Sequence, residues 1–244
     1  MKKPSIYENS SDLCIAAADF FVTRYQKAIQ DHGVFHIALS GGSTPKRLYE
    51  MLATSTYCEK IDWSNVHFFF GDERYVPYSH DDSNYRMANL ALFSQIDIPT
   101  ENIHAMPVDE PDAKLAAQAY ETELTEQLIH SNNDLPQFDL VLLGLGADGH
   151  TASLFPGTDA IHEQNHYCCA VYVEEKQSWR ISLTFPIINN AVHILLLSEG
   201  EAKREIIQKL TALPADSRKF PIQYVNQDSR FSWYADSDAI PLEV

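Results

Sequence analysis

Basic residues are scarce in this chain of 244 residues: 18 Lys and Arg stand against 34 Asp and Glu, a formal charge of −16. Nucleic-acid binders neutralise phosphates with a basic excess, so the balance excludes that class. It leaves room for a small anionic ligand, which needs only a few well-placed cations. Long apolar runs are missing too. The longest, Tyr167–Val173, has seven residues, against the ~20 of a membrane-spanning helix. No apolar stretch follows Lys2 and Lys3 before Asn9, Ser10, Ser11 and Asp12 interrupt, so no secretory leader or membrane contact is expected and the location is read as cytoplasmic. Only four cysteines occur, Cys14, Cys58, Cys168 and Cys169, with no CxxC pair, which reads as reduced thiols. The phosphate-loop pattern GxxxxGK[ST] is absent, and no nucleotide is expected. His80-Asp81-Asp82 has ligand types but no second His four residues on, and it runs into a Ser83 helix cap, so a solvated loop is expected there and no metal.

What the chain does contain is ordinary globular material, 45% hydrophobic and 21% charged. Area scaling gives ~11,000 Å² of folded surface against ~40,000 Å² unfolded, enough burial for a core without staples. Helix and strand patterns alternate throughout. Ser10 or Ser11 can cap a helix whose apolar residues run from Leu13 to Ala28 and which stops near Gly33. Strands are expected at 35–39, 66–70, 138–143, 168–173, 181–183 and 193–197, with a short one at 103–106. Further helices are expected from Pro45, from Ser83 through Met87 to Phe93, over 112–130 and over 200–210. Strand 138–143 is continuously apolar, which suits a parallel sheet buried on both faces. No linker, repeat or composition break appears. The pattern predicts one α/β domain over 1–244 with a mostly parallel sheet.

In such a sheet, ligands bind outside the carboxyl ends of the strands. Three strand ends carry small or polar runs: Ser40-Gly41-Gly42-Ser43-Thr44-Pro45, Gly71-Asp72-Glu73-Arg74, and the run from Gly144 through Asp148, Gly149 and His150 to Thr158. The first sets glycines and hydroxyls at a helix N-terminus, a ready anion site or else a tight turn with a Thr44 cap. The second alone reads as an ion pair among Asp72, Glu73 and Arg74. The third puts an imidazole in a glycine-bent loop beside Asp148, where it can take and return a proton near neutral pH. His36, His67, His104 and His193 lie in or beside apolar strands and read as core or edge imidazoles.

Taken in order, SGGSTP, DERYVP, GLGADGHTASLFPGT, Arg180-Ile181-Ser182-Leu183-Thr184 and Gly200-Glu201-Ala202-Lys203 resemble the 6-phosphogluconolactonase family of the glucosamine-6-phosphate isomerase superfamily. These blocks span 36–204, and five in order make a specific signal. The resemblance implies a Rossmann-like three-layer αβα sandwich. It also implies hydrolysis of 6-phosphoglucono-1,5-lactone to 6-phosphogluconate in the oxidative pentose phosphate pathway, with no cofactor, metal or obligatory protein partner. The amino-sugar-phosphate deaminases of the same superfamily continue after DGH with an Asn-Glu-Pro segment. Here Ser153 and Leu154 stand in that region, and DER replaces their usual DEY. Sugar-phosphate sensor domains carry a separate helix-turn-helix segment, for which too little chain precedes Phe35.

On that reading His150 serves as base towards water and then as acid towards the ring oxygen. Asp72, or Asp148, orients the imidazole or the water. Arg74 stabilises oxyanion charge or binds the sugar's polar groups. The phosphate sits against Gly42, Ser43, Arg180 and Lys203, with Lys203 in the first turn of a helix.

Overall fold

The computed structural model describes residues 1–131, 134–214 and 218–240. Its strands are β1 (Ser5–Tyr7), β2 (Phe35–Leu39), β3 (Val66–Phe70), β4 (Asp72–Arg74), β5 (Ile129–His130), β6 (Pro136–Gln137), β7 (Leu140–Gly144), β8 (Cys168–Val173), β9 (Ser178–Leu183), β10 (His193–Ser198) and β11 (Phe231–Asp236). The α-helices are α1 (Ser10–His32), α2 (Ser43–Leu52), α3 (Ser55–Cys58), α4 (Asn84–Ala91), α5 (Ala113–Gln127), α6 (Phe185–Asn190) and α7 (Arg204–Ala212).

Apolar runs without alternation form the centre of a six-stranded sheet in the order β1-β11-β10-β7-β2-β3, with every pair parallel. All five residues of β2 are buried, as are Leu140–Leu143 of β7 and Ile194–Ser198 of β10. Successive side chains point to opposite faces, so burial of whole strands means both faces are covered. The sandwich therefore has three layers. The folded surface is 11366 Å², in line with the scaling for a chain of this mass.

Two expectations change. Strands β8 and β9 leave the parallel sheet and join β4 in an antiparallel sheet of order β4-β9-β8. Only 174–177 connect β8 to β9, with Gln177 at φ 47, and a parallel pair needs a crossover of about a dozen residues. The connection leaves only a hairpin. Accordingly GDER is no polar loop: Asp72, Glu73 and Arg74 face Ser182, Ile181 and Arg180 across the ladder. Smaller shifts are local. Asn9, whose side chain accepts from the Asp12 amide at 3.0 Å, caps α1 in place of Ser10 or Ser11, while Gly33 ends it at φ 86. Residues 103–106 make a single bridge, Phe68 to Ile103. Lys203 closes a 3-10 turn, and α7 begins after it.

The interior histidines are structural. His67 Nδ1 meets His104 Nε2 at 3.0 Å, and His104 Nδ1 meets Glu123 at 2.7 Å. These contacts tie β3 to α5 through the two stacked rings. His36 lies buried against His67, and burial, then the neighbouring imidazoles, pushes it down from 6.5 to about 3. Between those values the unfolded chain holds a proton that the folded chain refuses, so stability falls as pH drops below 6.5. The urea midpoint should be lower at pH 5 than at pH 7, and His36→Gln should flatten that difference. Equal pH slopes in the two proteins would remove His36 from the acid sensitivity.

Candidate active site

The chain leaves β2 for β3 on one side and β7 for β10 and β11 on the other, so the strand order reverses between β2 and β7. Their registered pairing ends after Ile37–Leu140 and Ala38–Val141. Beyond it the carboxyl ends part, and a cleft of about 350 Å³ opens at this switch point. Ser40–Pro45 and Gly144–Ala147 form its floor. Asp72, Arg74, Asn84, His150 and Lys203 line it as well.

One wall is the start of α2. Gly42 is its N-cap at φ 106, a conformation open to glycine, and it offers no side chain to the first amides. Those N–H groups and the positive end of the helix dipole are left for a ligand. Tyr49, nearly two helical turns on, fixes the loop: its hydroxyl donates to the Ser40 carbonyl at 2.8 Å and accepts from the Ser40 amide at 3.0 Å.

The opposite wall carries the imidazole. His150 Nδ1 and Asp148 Oδ1 are 2.5 Å apart, and the ring leans on Phe155 with centroids at 4.1 Å. The carboxylate on the imidazole is therefore Asp148. Nε2 has no partner among the described residues and belongs to a group lining the cleft. A Cβ on Gly146 would stand 2.1 Å from His150 Nδ1, so only glycine lets the ring lie against this backbone. Gly144, Gly146 and Gly149 also have the G-x-G-x-x-G spacing of a dinucleotide loop, but turns and a bridge follow them where that motif requires a helix. Here the glycines serve the His150–Asp148 pair. Burial raises the Asp148 carboxyl, yet the His150 hydrogen bond and charge outweigh it and hold the group below its ordinary value.

The third wall comes from the small sheet. Asp72 is buried and takes neither His150 nor Arg74 as partner: its Oδ2 accepts from Ser153 Oγ at 2.6 Å and its Oδ1 from Asn84 Nδ2 at 3.3 Å. The ion pair expected within GDER does not form. Glu73 turns inward and accepts from the amides of Arg74, Asn84 and Tyr85 at 2.7–2.8 Å, tying α4 to β4. Burial raises its carboxyl while those amides pull it down. Arg74 donates to the Asp82 carbonyl. Directly across the ladder stands Arg180, and both guanidinium Nε atoms are buried without a partner. Burial and then the Arg74 charge lower Arg180. Two like charges set opposite each other are unfavourable alone; an anion between them would relieve both.

The cleft thus brings Gly42, Ser43, Asp72, Arg74, His150 and Lys203 together. Asp148 joins through the imidazole and Arg180 through Arg74. Burial lowers the Lys203 ammonium, opposed by the charge of Asp148. The sequence reading passed over Asn84 and Ser153 as site residues. Ser153 gave a signal, since it sits three residues past His150, whereas Asn84 looked like the first residue of an ordinary helix.

Comparison with known proteins follows the same lines. The model of the family glucosamine-6-phosphate isomerases/6-phosphogluconolactonase matches residues 8–233. A 6-phosphogluconolactonase of Synechocystis sp. is 42% identical over 218 residues, covering 89% of this chain and 88% of the relative. One of Nostoc sp. is 37% identical over 241 residues, covering 98% of each. The solved 6-phosphogluconolactonase of Trypanosoma cruzi superposes with a TM-score of 0.84 at 31% identity, covering 97% of this chain and 96% of that one.

The Asp148–His150 contact makes a prediction independent of turnover. In His150→Gln the burial of Asp148 persists while its compensating partner is gone, so the Asp148 carboxyl should titrate higher than in the parent. Carboxyl carbon NMR across acid pH reads this directly. An unmoved titration would mean that the pair is not formed in solution.

Proposed function

The chain belongs to the glucosamine-6-phosphate isomerase/6-phosphogluconolactonase family, and from that premise we propose that its cleft hydrolyses 6-phosphoglucono-1,5-lactone to 6-phosphogluconate, as an enzyme of the oxidative pentose phosphate pathway. The observation that carries the reading is the His150–Asp148 pair, with Nε2 unpartnered among the described residues in a cleft that a helix N-terminus, Arg74 and Lys203 also line.

Asp148 accepts from Nδ1–H and so leaves Nε2 as the basic nitrogen. Nε2 takes a proton from water as the water oxygen bonds to C1. The negative charge on the carbonyl oxygen meets Arg74. When the C1–ring-oxygen bond breaks, the imidazolium returns the proton to that oxygen, and the new carboxyl group loses its own proton to solvent and leaves as a carboxylate. Asp72, fixed by Ser153 and Asn84, faces the cleft as acceptor for water or a sugar hydroxyl. The phosphate rests on the free amides of Gly42 and Ser43, on Lys203 and on Arg180, which faces the cleft side of the ladder from opposite Arg74. No step calls for a metal or cofactor. The protein acts in the cytoplasm, as one domain over 1–244.

Deamination of an amino sugar calls for proton transfers at both carbon and the ring, hence a second acid near the imidazole. In that region stand Leu154, fully buried, and Ser153, already committed to Asp72. The geometry favours the lactonase.

His150→Gln should lower turnover of freshly generated 6-phosphogluconolactone by about 10²-fold or more, while binding of 6-phosphogluconate survives. Near-normal turnover would remove His150 from the mechanism. Lys203→Ala and Arg180→Ala should raise KM roughly 10- to 150-fold for the phosphorylated lactone only, the loss of one charged hydrogen-bond partner. An equal loss on unphosphorylated gluconolactone would place these cations elsewhere. Ammonia release from glucosamine-6-phosphate should stay at background; release at a rate comparable to lactone opening would overturn the proposal.

A further inference from the structure

Asn84 is the first residue of α4 and is 3% exposed. Its amide nitrogen faces two acceptors, the Asp72 carbonyl at 2.8 Å and Asp72 Oδ1 at 3.3 Å. Both partners accept, which fixes the orientation of the side chain: the NH₂ points at Asp72 and the oxygen points away. That oxygen lies where a side chain on Gly41 would begin, 2.1 Å from an ideal Cβ there. One buried side chain thus touches two walls of the cleft, the loop that opens α2 and the carboxylate on β4. Its own backbone is held as well, since its amide donates to Glu73 Oε1 at 2.7 Å.

We propose that Asn84 is a positioning residue for the reaction, holding Asp72 in place and setting its spacing from the anion-binding loop through contact with Gly41. The inference rests on the reading of Asp72 as part of the lactone-opening machinery. An amide is suited to the task because it offers donors to a carboxylate and brings no charge. Aspartate, of the same shape, would set an acceptor against two acceptors. Ser153 holds the other oxygen of Asp72 at 2.6 Å, so without Asn84 the carboxylate keeps one anchor and regains rotation. Asn84 also explains Gly41: the three atoms nearest a Cβ there all belong to Asn84, and the loop gives up its Cβ so that the amide can pass.

Two mutant cycles test this, one with substrate and one without. Asn84→Ala should lower kcat on 6-phosphogluconolactone about tenfold or more. Made in an Asp72→Asn background, it should cost no more than about twofold further, because residues acting through one contact are not additive. Full additivity of the two losses would show that Asn84 does not act through Asp72. In thermal unfolding, Gly41→Ala should lower Tm or prevent folding, and Asn84→Ala in the same chain should restore most of the loss by clearing the clash. A double variant no more stable than Gly41→Ala alone would overturn the contact. The thermal cycle needs no turnover, so an inactive parent protein would sink the proposed lactonase reading while the unfolding data still decide on Asn84.

Discussion

The strands β2 and β7 stop pairing after Ala38 and Val141, and the rest of the site depends on that early parting. Parallel strands are locked along their length by evenly spaced hydrogen bonds. Only at the reversal of strand order can two carboxyl ends diverge without leaving a strand unpaired inside the sheet. The divergence turns Ser40–Ser43 and Gly144–Gly146 towards each other as the floor of one cleft. It also sets a helix N-terminus opposite the imidazole loop. A phosphate and a reacting carbonyl can then be held in one molecule's reach, each by a rigid element.

The cleft reverses the character of the protein around it. A chain of formal charge −16 gathers Arg74, Arg180 and Lys203 about a helix N-terminus. Of the acids near the site, Glu73 is held by amides, Asp72 by Ser153 and Asn84, and Asp148 by His150, while Glu199 pairs with Arg47. The guanidinium groups of Arg74 and Arg180 keep unpartnered Nε atoms behind them. Preorganised charge of this kind needs no rearrangement when negative charge develops in the transition state.

Much of the fold was legible in local pattern. Continuous apolar runs predicted β2, β3, β7 and β10 within a residue or two, because burial on both faces leaves no place for polar alternation. The three-residue β1, exposed apart from the half-buried Tyr7, offered no such run and passed unseen. The short connection before Ser178 already demanded a hairpin, yet apolar content alone made β8 and β9 look like members of the main sheet. Within the site, His150 stood out by its loop and Asp148 by its spacing.

Residue types, order and spacing along the chain determined the α/β class, the glycine-led start of α2 and the imidazole with its neighbouring acid, since each of these depends on groups close in sequence. The tertiary structure alone decided that Asp72 turns to Ser153 and Asn84, and that Arg74 stands across from Arg180. Those partners lie 81, 12 and about a hundred residues apart along the chain. No local propensity encodes such distances. They are fixed when β4 pairs with β9 and α4 docks on Glu73, because only packing of the whole chain brings these backbones within hydrogen-bond reach.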